Sequence, residues 1–266
     1  MSGNGRTAQE KAHHSAPTTP DTPGTQPQRT IRCFVGLPLP PQWQDRLAAL
    51  RTDLHAACAS PEGRDPALAD LLRRLHWTPP GNWHLTLRFL GDVPTPRCDE
   101  VADALRTIRF APVQLAVDKA GVFPAKGTPR VLWLGLARGA PECTALATAV
   151  NAALAPLGFA PEDRALAPHL TLARLREARR EVRQRNGAAP GEEALLPSSR
   201  SAADARDALL AAIDAQINLA QINLTRTSRS ASPWPGCIVR EMVLWRSDLG
   251  GGRPVYTPLA VLPARE

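Results

Sequence analysis

Asn82-Trp83-His84-Leu85-Thr86-Leu87-Arg88-Phe89-Leu90-Gly91 and, about 85 residues on, Pro168-His169-Leu170-Thr171-Leu172-Ala173-Arg174 carry the same phrase, His-Leu-Thr-Leu. Successive side chains of an extended strand point to opposite faces. Read as strands, the two copies send Leu85, Leu87, Leu170 and Leu172 into a core. His84, Thr86, His169 and Thr171 then face the other way, towards a cleft. Two such strands side by side gather two imidazoles and two hydroxyls around one small space. That space holds an acid, a base and two hydrogen-bond donors.

The flanking sequence repeats a pattern around each copy. Ile31 to Leu37 reads as a short strand closed by Pro38, Pro40 and Pro41, and Trp43, Leu47, Leu50 and Leu54 follow at helical spacing. A further helical turn over Leu68–Leu75 and the turn residues Thr78 to Asn82 lead into the first His/Thr strand, Trp83 to Leu90. Val101, Leu105 and Ile108 mark a second helix, and Val113 to Val117 alternates as a strand, with Gly121 to Pro124 turning the chain. Arg130 to Leu136 is a strand, and Leu146, Val150, Leu154 and Leu157 form a third helix before the second His/Thr strand. Each His/Thr strand therefore follows a helix. The order predicts a duplicated α+β fold of two similar lobes.

The remainder divides by composition. Residues 1–29, rich in Thr, Pro, Gln and Gly, predict a disordered tail ahead of a domain over 30–263. A stretch of about 176–231, first arginine-rich and then rich in Ala, Gly, Pro and Ser, predicts a flexible insert, with helical spacing over Asp204–Ile213. Within it Gln216 to Leu224 nearly repeats five residues, with no functional reading. Ile238–Trp245 is a strand, Ser247–Gly252 a tight turn, and Val255–Leu259 closes the domain.

A formal charge of +7, carried almost wholly by arginine against three lysines (Lys11, Lys119 and Lys126), suits polyanionic partners. The five cysteines are scattered, odd in number and without a CxxC pair, which predicts free thiols rather than a disulfide framework or zinc site. No apolar run approaches the ~20 residues of a membrane span, and the N-terminus has no apolar signal-peptide stretch. A cytoplasmic monomer with no membrane association is expected.

Histidine titrates near pH 6.5, so of two imidazoles one can hold a proton while the other lacks it. A metal site needs three or four ligands. No carboxylate accompanies both phrases, and no cofactor is expected. Opening a cyclic phosphodiester with water uses such a pair: a base activates the water and an acid protonates the leaving oxygen in line. Hydroxyls and a guanidinium steady the charge on the non-bridging oxygens. The same residues also fit a module that binds RNA or a nucleotide without cutting it, or a phosphodiesterase of a small cyclic nucleotide.

These motifs, with Arg32-Cys33-Phe34-Val35-Gly36-Leu37, Arg130 to Leu134, and Leu244 to Leu249 followed by Gly252 and Tyr256, resemble the two-histidine phosphoesterases. Within them the sequence is most similar to the bacterial RNA 2′,3′-cyclic phosphodiesterases, also called 2′-5′ RNA ligases. The resemblance covers about residues 30–175 and 234–260. It implies a bilobal, pseudo-symmetric α+β fold, two antiparallel-rich sheets lining a central cleft with helices outside. It implies metal-independent hydrolysis of a terminal 2′,3′-cyclic phosphate to a 2′-phosphate, and the reverse 2′-5′ ligation. The partners implied are RNA ends bearing that phosphate, such as tRNA fragments. By the same analogy His84 is the proton donor and His169 the proton acceptor. Thr86, Thr171 and Arg130 hold the phosphate, and Phe34 stacks on the terminal base. The sequence departs from the family where an aromatic often precedes the second histidine: Ala165-Leu166-Ala167 stands there, which bears on base preference.

Overall fold

The computed structural model describes residues 29–59, 66–126, 129–160, 162, 166–175, 199–222, 234, 236–250 and 254–265. The expected N-terminal tail lies outside these but for its last residue, as does the arginine-rich run from 176 to 198.

The strands are β1 (Thr30–Pro38), β2 (Leu75–Trp77), β3 (His84–Pro94), β4 (Val113–Phe123), β5 (Val131–Arg138), β6 (Leu170–Leu175), β7 (Cys237–Val239), β8 (Glu241–Asp248) and β9 (Val255–Pro263). The helices are α1 (Pro41–Ala59), α2 (Pro66–Arg74), α3 (Cys98–Arg106), α4 (Ala140–Leu154) and α5 (Ser199–Ile222). Pairing runs β7-β4-β5-β6-β3-β1-β8-β9, with β2 beside β6. All pairs are antiparallel. The expected two sheets are the two halves of this order, β9-β8-β1-β3 and β6-β5-β4-β7. They meet at the two His/Thr strands, where Leu85 pairs with Leu170 and no second register pair joins β3 to β6.

The leucines of both phrases lie in the packed layer: Leu85 and Leu170 are fully buried, with Leu87, Leu172, Leu132 and Leu134 beside them. Helix α4 packs on β3, β4 and β5, and its Leu146, Val150 and Leu154, four residues apart on one stripe, join the same core. In α1 the residues at helical spacing, Trp43, Leu47, Leu50 and Leu54, are all buried. One expectation needs correcting. Gly121–Phe123 does not turn the chain; β4 continues through Phe123, paired with Val131, and the turn follows the cis Phe123–Pro124 bond.

Helix α5 runs well beyond the expected Asp204–Ile213, and it belongs to the core. Ala205, Leu209, Ile213 and Ile217, each four residues from the last, are buried against β4, α2 and α1. Between Val117 and Ala120, β4 loses its register with β5. The Ala120 N–H donates instead to Asp214 Oδ1 on α5 at 2.7 Å. A backbone donor that would otherwise be buried without a partner is thus satisfied by the helix. Ile213, with no exposed surface, gives a direct test. Ile213→Ala is expected to cost about 2–4 kcal/mol, the range for a truncated buried aliphatic, read as a lower urea midpoint at unchanged slope. A change under ~0.5 kcal/mol, the size of an ordinary surface substitution, would mean the helix is only loosely docked.

Candidate active site

The Leu85–Leu170 pair fixes what faces what. Continuing that antiparallel register one step each way sets His84 level with Thr171, and Thr86 level with His169. Each histidine therefore stands across from the other phrase's threonine, on one face, related by a pseudo-twofold. Diagonal neighbours across adjacent strands lie roughly 7–8 Å apart, a gap that a tetrahedral anion fills.

Alternation breaks at the same place in both strands. From His84 the exposure runs half-buried, buried, half-buried, buried, buried, exposed, half-buried through Leu90, and from His169 the sequence is identical through Leu175. The cause is a bulge after each threonine. In β3 the register with β1 steps from Gly36–Thr86 to Val35–Arg88. In β6 the register with β5 steps from Trp133–Thr171 to Leu132–Ala173. A bulge inserts one residue and re-aims those beyond it. Arg88 and Ala173 consequently turn inwards, Arg88 to 3% exposure, while Phe89 and Arg174 come round to the cleft face. Inside, Arg88 donates to the Ala160 carbonyl at 2.5 Å and lies over the Phe159 ring.

Each imidazole is held twice over. His84 Nδ1 is 2.8 Å from the Asn82 carbonyl and His169 Nδ1 is 2.7 Å from the Ala167 carbonyl. A carbonyl only accepts, so both Nδ1 atoms carry the proton and both Nε2 atoms keep a lone pair. His84 Nε2 accepts from the Thr86 hydroxyl at 3.0 Å. The rings are then packed by aromatics. Phe34 lies 4.7 Å from His84 and Tyr256 meets it edge-on at 5.2 Å. On the other side Phe123 meets His169 edge-on at 5.1 Å, with Trp133 at 6.3 Å. Two glycines make room. A Cβ on Gly36 would lie 2.9 Å from the Leu85 carbonyl oxygen and 3.4 Å from His84 Cδ2, and one on Gly121 would lie 2.2 Å from the Trp133 ring.

Electrostatically the site resists protonation of its imidazoles. Burial is the main cause, and it pushes His84 down from 6.5 to about 4; the Arg174 charge and His169 add to it, against the Asn82 hydrogen bond. Burial and then Arg174 also lower His169, opposed by the Ala167 hydrogen bond. Folding therefore excludes a proton that the unfolded chain binds between about pH 6.5 and 4. The unfolded state binds more protons there, so stability falls as pH drops through this window. At 1.36 kcal/mol per unit, His84 should contribute a loss of roughly 3 kcal/mol by pH 4. Urea unfolding of wild type and His84→Gln at pH 7 and pH 4 measures it. The variant should lose markedly less, and equal losses would refute the assignment.

Of the residues singled out from the sequence, His84, His169, Thr86 and Thr171 come together on one face. Phe34 is a correction. Only 2% exposed, it is enclosed by His84, Tyr256, Trp245 and Phe89 and supports the imidazole instead of offering a face to a base. The open aromatic is Phe89, 53% exposed. Arg130 immediately precedes β5; its N–H donates to the Phe123 carbonyl at 2.7 Å and its carbonyl accepts the Leu175 N–H at 2.9 Å, which sets its backbone beside the ring that meets His169. The guanidinium whose charge acts on both imidazoles and on Tyr256 is Arg174. Arg174 closes the second motif, but plain alternation would turn it away from His169, and only the bulge brings it back. Tyr256 carried no signal beyond its place near the end of the resemblance. Among the described residues no cluster of three or more His, Cys, Asp or Glu is arranged to hold a metal. No helix there is long and apolar enough to cross a membrane. Cys33, Cys98, Cys143 and Cys237 are free thiols.

Two His-x-Thr strands paired about a pseudo-twofold, in an α+β fold, are the features that comparison with known proteins bears on. Residues 37–133 match the family described as LigT like Phosphoesterase. The chain is 40% identical over 98 residues to a protein of Aeropyrum pernix named RNA 2′,3′-cyclic phosphodiesterase, a match covering 37% of this chain and 56% of the relative. A protein of that name from Aquifex aeolicus is 37% identical over 103 residues, 38% of this chain and 55% of the relative. The likeness is thus not confined to bacterial members, and the chain spans about half the length of these relatives. Among solved structures, Escherichia coli LigT complexed with 3′-AMP matches with a TM-score of 0.56 at 21% identity, covering 90% of this chain and 100% of that one. The protein TT0787 of Thermus thermophilus matches at 0.54 and 24%, covering 88% and 98%.

Proposed function

We propose that this protein hydrolyses the 2′,3′-cyclic phosphate at an RNA end to a 2′-phosphate, without a metal, through His84 and His169. The observation that carries the reading is the antiparallel register of β3 and β6, which sets two imidazoles diagonally across one small space, each with its Nδ1 bonded to a backbone carbonyl and its Nε2 left as the basic nitrogen, that of His84 accepting from Thr86. In-line displacement needs a base on one side of phosphorus and an acid on the other. A diagonal pair supplies both. Thr86 and Thr171 stand beside the non-bridging oxygens, and Arg174 supplies the planar fork that suits phosphate. Phe89, level with Phe34 on β1, offers an aromatic face for a base. The names of the curated relatives support RNA as the substrate.

His84 is proposed as proton donor towards the 3′ oxygen and His169 as the base that takes a proton from water. Burial holds His84 down to about 4, so at neutral pH the imidazole alone carries no charge. The bound phosphate anion replaces the missing counter-charge and raises both imidazoles, so the substrate brings in the proton that later leaves with the 3′ oxygen. With a 5′-hydroxyl in place of water, His169 would take the hydroxyl proton and His84 would protonate the departing 3′ oxygen, so the same groups would form a 2′-5′ linkage. The proposed domain spans 30–263, with α5 as an integral part and a monomer as the working unit. Incubating the protein in EDTA with a short RNA ending in 2′,3′-cyclic phosphate tests the reading. A terminal 2′-phosphate is expected. A 3′-phosphate would exchange the leaving oxygen, and RNA bound but uncut would favour a binding module.

A further inference from the structure

The reacting phosphate accounts for His84, His169, the two threonines and Arg174, but leaves two cleft-side groups without a task. On β1, alternation places Arg32, Phe34 and Gly36 on one face, and Gly36 is level with Thr86. Arg32 thus stands on the cleft side about 13 Å along the strand from that level, at ~3.3 Å per residue. One step beyond the Cys33–Arg246 pair, Arg32 comes level with Ser247, which is paired with Tyr256. Arg32, Ser247 and Tyr256 therefore form a row across three strands. From the far strand the Tyr256 ring leans back over Phe34, 5.0 Å away, to meet His84.

Arg32 is exposed and makes no ion pair among the described residues, although Asp92 stands opposite it on β3. Tyr256 is the chain's single tyrosine. It is half-buried, and the charges felt by its phenol are Arg174 on the reacting side and Arg32 on the other. The cleft thus has one guanidinium at the histidines and a second further along β1, with a phenol between them.

We infer that Arg32 and Tyr256 form a second anion subsite, which takes the phosphate on the 5′ side of the terminal nucleotide. This rests on the proposed function and makes it narrower: the preferred substrate is a strand with an upstream phosphodiester, not a lone nucleoside cyclic phosphate. The arginine supplies charge and a two-pronged donor, and the phenol donates from a ring already fixed by its aromatic contacts.

Adenosine 2′-monophosphate and adenosine 2′,5′-bisphosphate are the probes, since they differ only in the 5′-phosphate. Calorimetry on the full chain should find the bisphosphate about tenfold tighter. That preference should vanish in Arg32→Gln and shrink several-fold in Tyr256→Phe, which keeps the ring packed on His84. A carbon-13 label in the lone tyrosine should shift further with the bisphosphate than with the monophosphate. Equal binding of both probes to the wild type, or a preference that survives both variants, overturns the subsite. Hydrolysis of cyclic phosphate ends without the preference defeats the subsite alone. The preference without hydrolysis defeats the hydrolytic reading alone. If neither probe binds, both fall.

Discussion

His84→Ala and His169→Ala are each expected to lower hydrolysis of a terminal 2′,3′-cyclic phosphate by about 10²–10⁴-fold, the usual worth of a positioned general acid or base. Both rings are packed on aromatics rather than set in the leucine core, so the variants should stay folded, and a thermal melt checks this. The losses should not add. Once one end of the in-line displacement is unassisted, the other histidine has little left to assist, and the double variant should be only slightly slower than the worse single one. The two roles separate with a 3′-thio cyclic phosphate, whose thiolate leaves without needing a proton. On that substrate the His84→Ala defect should shrink towards unity while the His169→Ala defect persists. The opposite pattern would exchange donor and acceptor. Equal and undiminished defects would mean that neither ring protonates the leaving group.

What could be read in the sequence was what repeats with a fixed period. The two His-Leu-Thr-Leu phrases alternate, and alternation alone assigns Leu85 and Leu170 to the core and His84 and His169 to the cleft. The stripes of α1 and α4 were legible for the same reason at a helical period. The misplacements fall where period fails. Bulges after Thr86 and Thr171 depend on the partner strands β1 and β5. A reader of the phrase alone would put Arg88 in the cleft and Phe89 in the core, the reverse of what occurs. The same misreading hides Arg174, which plain alternation turns away from His169. Phe34 was placed on the correct face, but its burial comes from Tyr256, about 220 residues away in sequence. Helix α5 was half legible. Its buried stripe, Ala205 to Ile217, has helical spacing, but the surrounding polar composition masked how much of it the core takes up.

Arg174→Ala has the next largest expected effect, and it should be visible in two ways at once. The guanidinium is exposed on the cleft face, level with Val131, where it can grip the equatorial oxygens as charge builds on them. Losing such a donor typically costs about 10²–10³ in turnover. The same charge holds both imidazoles down. Removing it raises both, and the sign then follows. The base loses its proton only at higher pH and the acid keeps its proton to higher pH, so both limbs of the pH–rate profile move upwards. Arg174→Lys divides the two effects. An ammonium keeps the charge but not the planar fork, so the limbs should stay near the wild-type positions while the rate remains depressed. If Arg174→Ala slows turnover without moving either limb, the arginine only grips the phosphate, and burial alone sets the histidines. If it moves the limbs but leaves the rate at its new optimum intact, the phosphate is held by the threonines, and the arginine's part is to keep the empty site free of protons until an anion arrives.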